Sequence, residues 1–272
     1  MNGDGAENAP SLLIGVPTNS PTGCRTRHRR DPRDAPLSER DIAALQFIGR
    51  GAEVAQYQLH EAVFGRVSEV VVSRFVHRAA TRGLVVVSRW RGIGINRLRL
   101  TMRGRATLIA HGVDPLEIFV PHNPIADGHI EHHLWIVDVL TVLGRAKRKA
   151  DILVPAWALE RRFTPRPAAI PDVLASFAAP GSDSLLLAVE IDRGSESIAS
   201  VFAPKLRELC SVLGAWAGGA TSLIVVFTNG VRRREAIQTR VEKLPMQIVT
   251  ELLPTVSGRA GLADFERTLT LP

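Results

Sequence analysis

The order of the predicted elements places this chain in the α+β or α/β class, with two parts of different architecture. Three short helices and a β-hairpin are predicted in the first part, and the order αβββαβ in the second. A helix, a three-strand meander and an α–β crossover imply a mixed sheet with helices on its faces. With 272 residues, 45% of them hydrophobic, both parts can bury a core, which excludes a wholly disordered chain.

The first part begins with an arm, residues 1–36, that has no periodic apolar pattern. The arm is rich in Pro, Gly, Asn, Ser and Thr and carries the basic cluster Arg25-Thr26-Arg27-His28-Arg29-Arg30. We expect it to be flexible, because it offers too little apolar surface to pack. Such an arm would either contact phosphate groups or remain a solvated tail.

Residues 37–112 are predicted to form a compact helical unit with one hairpin. Ser38 is a suitable N-cap for the first helix, and the turn at Gly65-Arg66 separates the second helix from the third. Two alternating segments then form the hairpin. The predicted elements are helices over 39–49, 55–64 and 68–82, strands over 84–90 and 96–101, and a closing helix over 102–111.

Residues 113–128 are predicted to be a linker, and residues 129–272 a second α/β domain. Its strands are separated by turns rich in Pro and Gly, and no internal repeat is evident. The predicted elements are a helix over 127–144, strands over 152–159, 170–177 and 185–192, a helix over 197–216, a strand over 222–228, a helix over 232–243 and a strand over 246–252.

The positive charge of the chain lies entirely in its first part. The net charge is +7, and residues 1–112 hold 17 Arg and no Lys against 9 acidic residues, a local net charge of +8. Residues 113–272 hold 17 basic and 18 acidic residues. This asymmetry indicates a part that binds nucleic acid joined to a part with another task. A genome that favours Arg codons would explain Arg over Lys, but not the imbalance between the two parts.

Three helices followed by a hairpin resemble a winged helix-turn-helix. That resemblance implies that the third helix enters the major groove of duplex DNA while the hairpin lies along the backbone. Arginine suits both tasks, because its fork binds phosphate or guanine through two hydrogen bonds. Protein contacts alone would be the alternative use of this fold. The residues that we expect to bind DNA are Arg74, His77, Arg78, Arg82, Arg89 and Arg91.

Three acidic residues are predicted at the ends of adjacent strands in the second part. Glu190 and Asp192 are two residues apart on one strand and therefore point to the same face, and a hairpin would bring Asp172 beside them. Clustered carboxylates repel unless a cation neutralises them, and oxygen ligands suit Mg²⁺ or Mn²⁺. We therefore expect a metal held by Asp172 and Glu190, able to polarise a phosphate and activate water. A structural ion network with Arg193, Lys205 or Arg207 is the alternative.

The pattern Pro171-Asp172 followed by Glu190-Ile191-Asp192 on an αβββαβ order resembles the PD-(D/E)xK nuclease superfamily. The resemblance implies metal-binding acids from the second and third strands. The Lys that normally closes the motif is replaced by Asp192, and Lys205 on the next helix is the candidate substitute. The implied catalytic set is therefore Asp172, Glu190, Asp192 and Lys205. The first helix of the domain offers three further candidates, Glu131, His132 and His133.

A narrower resemblance covers about residues 38–230. A basic unit of this kind is followed by His133-Leu134, Val137, Asp138, Pro171-Asp172, Glu190-Ile191-Asp192-Arg193-Gly194 and Lys205. With these residues the chain is similar to the replication-relaxation family of plasmids, phages and mobile elements. Membership would imply DNA binding in the replication, maintenance or transfer of a mobile element, with a nuclease-like domain that is either degenerate or active.

Three functions therefore stay open at this point. The first is a DNA-binding protein with a nuclease-like scaffold, the second a Mg²⁺-dependent endonuclease, and the third a transcriptional regulator whose second domain dimerises or senses a partner. We expect double-stranded DNA as the partner, and a homodimer, which is the usual state of such DNA readers. No secretory signal or membrane-spanning run is visible, and the two cysteines fit no disulfide pattern, so we expect a cytoplasmic protein.

Overall fold

The computed structural model contains α-helices and two β-sheets. It describes residues 36–90, 94–146, 150, 152–163, 165–179, 182–254 and 258–269. The predicted arm and Arg91 lie outside these residues, apart from Pro36 at the end of the arm. No helix in the described part of the chain has the length and apolar character needed to span a membrane.

The N-terminal unit, residues 36–118, packs its helices against a three-stranded antiparallel sheet of order β1-β3-β2. Its first helix begins with a capping box: the Asp41 amide donates to Ser38 Oγ at 3.2 Å, and the Ser38 amide donates to Asp41 Oδ2 at 3.1 Å. The elements are α1 (Glu39–Arg50), β1 (Glu53–Ala55), α2 (Gln56–Leu59), a π-turn (His60–Phe64), α3 (Glu69–Thr81), β2 (Val85–Trp90), β3 (Ile95–Leu100) and α4 (Met102–Ala110).

The second part is built on a five-stranded mixed sheet of order β4-β5-β6-β7-β8. The first three strands form the predicted antiparallel meander, and β7 and β8 continue the sheet in parallel. The elements are α5 (Asp127–Arg145), β4 (Ile152–Pro155), α6 (Ala156–Arg162), β5 (Val173–Ala179), β6 (Ser182–Asp192), a π-turn (Ile198–Phe202), α7 (Ala203–Trp216), β7 (Thr221–Thr228), α8 (Val231–Val241), β8 (Gln247–Leu252) and α9 (Arg259–Thr268).

Strand β6 lies in the middle of this sheet and is buried on both faces. Its residues Leu187 and Val189 pack in the core beneath α5 and α9, whereas Leu186 and Ala188 pack in the core beneath α6, α7 and α8. The alternation continues to the end of the strand, so Glu190 lies on the face that α7 covers. The core on each face thus fixes which way the polar residues at the end of β6 point.

Three sequence predictions were wrong in detail. The strand predicted over 152–159 ends at Pro155, and α6 follows, because the apolar run Ala156–Leu159 fits a helix as well as a strand. The strand predicted from residue 170 begins at Val173. The helix predicted over 197–216 starts as a π-turn before Pro204, whose missing N–H leaves one carbonyl of the preceding turn without its helical partner.

Two other elements had no counterpart in the sequence prediction, and one predicted helix is divided into two pieces in the structure. Strand β1 has three residues and forms only through its pairing with β3, which no local pattern indicates. Helix α9 packs Leu262 and Phe265 into the core of the five-stranded sheet. The helix predicted over 55–64 divides into α2 and a π-turn, which ends at Gly65 with φ +56, a conformation that favours glycine.

Helix α5 joins the two sheets because polar side chains anchor it to the N-terminal unit. The His133 Nε2–H group lies 2.8 Å from the carbonyl oxygens of Gly51 and Glu53. Burial lowers the pKa of His133 to about 4, so the ring is neutral. The Trp157 indole donates to the Arg50 carbonyl at 3.0 Å and stacks on the His133 ring. These contacts hold the C-terminal end of α1 against α5 and α6.

Asp138 of α5 is a fully buried carboxylate at the same junction. The Tyr57 hydroxyl donates to it at 2.9 Å, and Gln58 Nε2 donates at 2.7 Å while also donating to the Leu134 carbonyl. No cation in the described part of the chain pairs with Asp138. Burial therefore raises its pKa to about 7 although these hydrogen bonds oppose the shift, and burial together with the Asp138 charge raises the pKa of Tyr57.

We predict that Asp138→Asn flattens the dependence of stability on pH. The folded protein binds the Asp138 proton more tightly than the unfolded chain, so wild-type stability falls as the pH rises from about 4 to about 7. The neutral amide lacks this loss, which amounts to about 4 kcal/mol. Urea unfolding of both proteins between pH 4 and 8 measures the difference. Asp114→Asn, at an exposed capping residue, is the control, and parallel wild-type and Asp138→Asn curves would contradict the assignment.

Candidate functional site

The pairing of β5 with β6 brings two acidic residues side by side. Val173 is paired with Val189, so Asp172, which directly precedes β5, lies next to Glu190. Asp172 Oδ2 accepts a hydrogen bond from the Ile191 amide at 2.7 Å. The hairpin therefore places the Asp172 carboxylate at the end of β6, as predicted from the sequence.

Lys205, in the first turn of α7, completes this group. Its Nζ lies 2.6 Å from Glu190 Oε2. Glu190 is only 1% exposed, and its second oxygen, Oε1, has no hydrogen-bond partner among the described residues. One Glu190 oxygen is thus neutralised by an ammonium group, while the other is buried without a partner, which costs free energy in a folded protein.

Burial dominates the electrostatics of this pair. Burial, together with the neighbouring Asp172 charge, raises the pKa of Glu190 to about 8, and Lys205 only partly offsets this shift. The Glu190 and Asp172 carboxylates raise the pKa of Lys205 although burial opposes that shift. When both carboxylates are ionised, the site holds more negative charge than one ammonium group neutralises, so a proton on Glu190 or an additional cation is favourable there.

Asp192 has a different environment from Glu190, although both side chains leave the same strand. Arg233 of α8 contacts both Asp192 oxygens, at 2.5 and 2.9 Å, Thr228 donates to Oδ2 at 2.6 Å, and the Gly194 amide donates to Oδ1 at 3.0 Å. Although burial opposes ionisation, these donors hold the pKa of Asp192 below its usual range. Asp192 therefore forms an ion pair with Arg233, a partner that was not predicted from the sequence.

The role of Arg233 as the partner of Asp192 was not predicted, although the sequence contains a signal for it. Residues 232–234 are three consecutive arginines at the start of the helix that follows β7. Because β6 and β7 are parallel, their carboxyl ends meet at the same edge of the sheet, so a side chain from this turn reaches Asp192. Of the partners named for a structural ion network, Lys205 pairs with Glu190 at 2.6 Å, whereas Arg193 pairs with Glu131 at 3.5 Å and Asp192 pairs with Arg233 instead.

Asp172 and Lys205 line two adjoining clefts of about 520 and 530 Å³, which we call the acidic cleft. His132 of α5 reaches into it, with Nε2 3.3 Å from Asp172 Oδ2. Of the three candidates on this helix, His132 alone contacts the acidic residues, because Glu131 pairs with Arg193 and His133 lies at the domain junction. The acidic cleft also contains Ser195, Glu196, Phe202, Glu160, Arg166 and Glu208.

Asp172, which lines the acidic cleft, and the buried Glu190 beside it offer two carboxylates to a divalent cation. Glu190 Oε1 is buried and unpaired, and the carboxylate of Asp172 lies beside it. No group of three or more His, Cys, Asp or Glu side chains suited to a metal occurs within the described ranges. Mg²⁺ is commonly bound by one or two carboxylates, with water and substrate phosphate as its other ligands. Asp172 and Glu190 would hold such an ion, and Asp192 would not.

A second surface of interest is the exposed side of α3. Its apolar residues Val72, Phe75 and Val76 pack into the N-terminal core, while Arg74, His77 and Arg78 are exposed. Arg78 keeps half of its side chain in solvent although it pairs with Asp41 at 3.2 Å. Arg82 is half-buried at the end of the helix, and Arg89 is exposed on β2. We call the exposed residues Arg74, His77 and Arg78 the α3 face.

Comparisons with models of protein families, with curated proteins and with solved structures found no match for this chain. Its function is therefore inferred from two surfaces, the α3 face and the acidic cleft. The first is basic and exposed, whereas the second is acidic, concave and partly buried. The two surfaces therefore differ in charge and in shape.

We predict that Lys205→Met destabilises the fold by about 3 kcal/mol at pH 9, because it leaves the buried Glu190 charge without its cation. The loss should shrink toward pH 6, where Glu190 takes up a proton. Adding Glu190→Gln to Lys205→Met should recover much of the loss at pH 9. Unfolding free energies of the four proteins in a double-mutant cycle measure this coupling. Additive effects of the two substitutions at pH 9 would contradict it.

Proposed function

We propose that this chain binds double-stranded DNA, with the N-terminal unit acting as a winged helix-turn-helix. The observation that carries the proposal is the α3 face. Helix α3 buries its apolar side and presents Arg74, His77 and Arg78 to solvent, beside the β2–β3 hairpin that carries Arg89. A helix with exposed basic side chains next to a hairpin is the arrangement by which winged helices contact the major groove and the backbone.

The distribution of charge supports the proposal. The net positive charge of the chain resides in residues 1–112, where every basic residue other than histidine is an arginine. Arginine binds phosphate through two parallel hydrogen bonds, and neutralised phosphates release counterions into solution. Affinity for duplex DNA should therefore be strong at low salt and fall steeply as salt is added.

The resemblance to the replication-relaxation family gives this proposal a biological setting. It would place the chain among proteins that act in the replication, maintenance or transfer of a plasmid, phage or other mobile element. The support is the set of residues that carry the resemblance, of which Asp138, Asp172, Glu190 and Lys205 have buried or paired side chains in the structure. A pseudo-palindromic binding site would further support a homodimer on DNA.

We predict that Arg74→Ala weakens binding to a 30-base-pair duplex of random sequence about tenfold and lowers the slope of log affinity against log salt by about one. Arg74 is exposed, so the substitution should leave thermal stability unchanged. Fluorescence anisotropy from 50 to 300 mM NaCl measures both quantities. Arg240→Ala, at an exposed arginine of α8, is the charge-matched control. Equal losses for the two variants would refute the role of the α3 face.

A metal-dependent DNA endonuclease is the second candidate function. The observation that favours it is the convergence of Asp172, Glu190 and Lys205, with Glu190 Oε1 buried and unpaired. Convergent acids with a basic side chain beside them are what phosphodiester hydrolysis needs. The position of Lys205 supports it as the substitute for the Lys that Asp192 replaces in the motif.

In this candidate, five side chains in and beside the acidic cleft have defined tasks. Asp172 and Glu190 would hold Mg²⁺ or Mn²⁺, which when bound supplies positive charge that polarises a phosphodiester. Lys205 would orient Glu190 and stabilise negative charge on the phosphate. His132 lies within hydrogen-bond reach of Asp172 and would fix the orientation of that carboxylate. Asp192, which we expected in the catalytic set, would instead hold Arg233.

For a catalytic acidic cleft, we predict that the wild-type protein nicks supercoiled plasmid in 5 mM MgCl₂ or MnCl₂. Asp172→Ala and Glu190→Ala should each abolish nicking without changing the affinity for duplex DNA. Agarose electrophoresis measures the nicked fraction. Asp264→Asn, far along the chain on α9, serves as the control. An intact plasmid with both metals, together with wild-type duplex affinity, would identify the second part as a non-catalytic scaffold.

A further inference from the structure

Three polar side chains from three different elements are hydrogen-bonded to one another beside the α3 face. Asn96 Nδ2 of β3 donates to Gln56 Oε1 of α2 at 3.1 Å, and Gln56 Nε2 donates to Ser73 Oγ of α3 at 3.0 Å. Asn96 and Ser73 are exposed, and Gln56 is half-buried. We call these three residues the amide bridge. No other hydrogen bond joins their side chains to a residue that the structure describes.

The amide bridge connects the basic residues of the hairpin with those of α3. Asn96 is the direct cross-strand partner of Arg89, so the two side chains leave the same face of the hairpin. Ser73 and His77 are four residues apart in α3 and therefore share one side of that helix. A continuous polar stripe thus runs from Arg89 across the amide bridge to the α3 face, with cations at both ends and neutral groups in the middle.

Neutral amides have a different recognition chemistry from arginines. Each amide offers a donor and an acceptor side by side, which matches the N6 and N7 edge of adenine in the major groove. Contacts to phosphate position a protein on DNA, whereas contacts to base edges confer sequence preference. Hydrogen bonds within the amide bridge restrict the rotamers of Gln56 and Asn96, so less conformational entropy is lost when they bind a base.

The surroundings of the amide bridge also offer apolar contact to a base edge. Gln56 and Asn96 line a hollow of about 210 Å³ together with the apolar side chains of Val72 and Ile95. Glu69, at the start of α3, is the acidic residue of this hollow, and its carboxylate is paired with Arg259 at 2.8 Å. The pairing reduces the repulsion that Glu69 would exert on DNA phosphates.

We propose that Gln56 and Asn96, which Ser73 ties to the exposed side of α3, read base edges in the major groove that this helix enters and make the chain selective for sites that contain adenine. This inference rests on the proposed binding of duplex DNA by the winged-helix unit. It assigns sequence preference to the neutral amides and general affinity to the arginines that flank them. Ser73 positions the Gln56 amide.

Selection from a randomised 20-base-pair duplex library tests the inference on the full-length chain. The wild type should enrich a motif with adenine at defined positions. Gln56→Ala and Asn96→Ala should each lose preference at one of these positions, and the ratio of motif affinity to random-duplex affinity should fall about tenfold. Binding to random duplex should change little, because phosphate contacts supply it. Gln238→Ala, at an exposed glutamine of α8, is the matched control.

Two results would overturn the inference while leaving the proposed function intact. One is a wild type that binds duplex but enriches no motif. The other is an unchanged motif and an unchanged affinity ratio in Gln56→Ala and Asn96→Ala with wild-type melting temperatures. A wild type that binds no duplex in 50 mM salt would overturn the proposed function itself, so the two failures are distinguishable.

Discussion

Helix α5 is enclosed by both parts of the chain, and the relation between the two sheets depends on this burial. Twelve of its 19 residues are buried, a pattern that only a helix enclosed by other elements can have. One side packs Val137 against the N-terminal unit, and the other packs Leu140 and Leu143 against the five-stranded sheet. His133 and Asp138 then fix its rotation through hydrogen bonds to the N-terminal unit. The same helix brings His132 to the acidic cleft, so the position of the cleft depends on the junction.

Three buried carboxylates of the second part show how the surroundings of a carboxylate determine its charge and its partners. They are Asp138, Asp192 and Glu190. Asp138 receives neutral donors, which satisfy it without a counter-charge. Asp192 pairs with an arginine and accepts hydrogen bonds from two further donors, so it is ionised and both of its oxygens have partners. Glu190 has one lysine and one oxygen without a partner among the described residues. Of these three, Glu190 is therefore the carboxylate with an oxygen left for a proton or a cation, which is why this region is the candidate for metal-dependent chemistry.

Much of the fold was accessible from the sequence because it rests on local patterns. The Ser38 cap, the amphipathic pattern of α3 and the alternation of the hairpin are features of adjacent residues, and the structure contains each of them. The run 152–159 was misassigned because short apolar runs do not distinguish strand from helix. Strand β1 was missed because its stability comes from pairing with β3, more than 40 residues away.

The candidate sites divide in the same way. Strand periodicity sufficed to expect Glu190 and Asp172 side by side, but the partner of each carboxylate is set by helices distant in sequence. Arg233 reaches Asp192 across 41 residues, and Gln58 reaches Asp138 across 80. The amide bridge likewise joins residues 17 and 40 positions apart, which no sequence motif indicates. Tertiary packing alone brings these groups together.

Hydrogen–deuterium exchange of the full-length chain with and without a 30-base-pair duplex tests the central claim most directly. If the N-terminal unit binds DNA through α3 and the hairpin, added duplex should slow exchange in peptides that cover 69–81 and 85–100. Exchange in peptides of α8 and β8 should be unchanged. Slowed exchange confined to the five-stranded sheet, with α3 unaffected, would contradict the account.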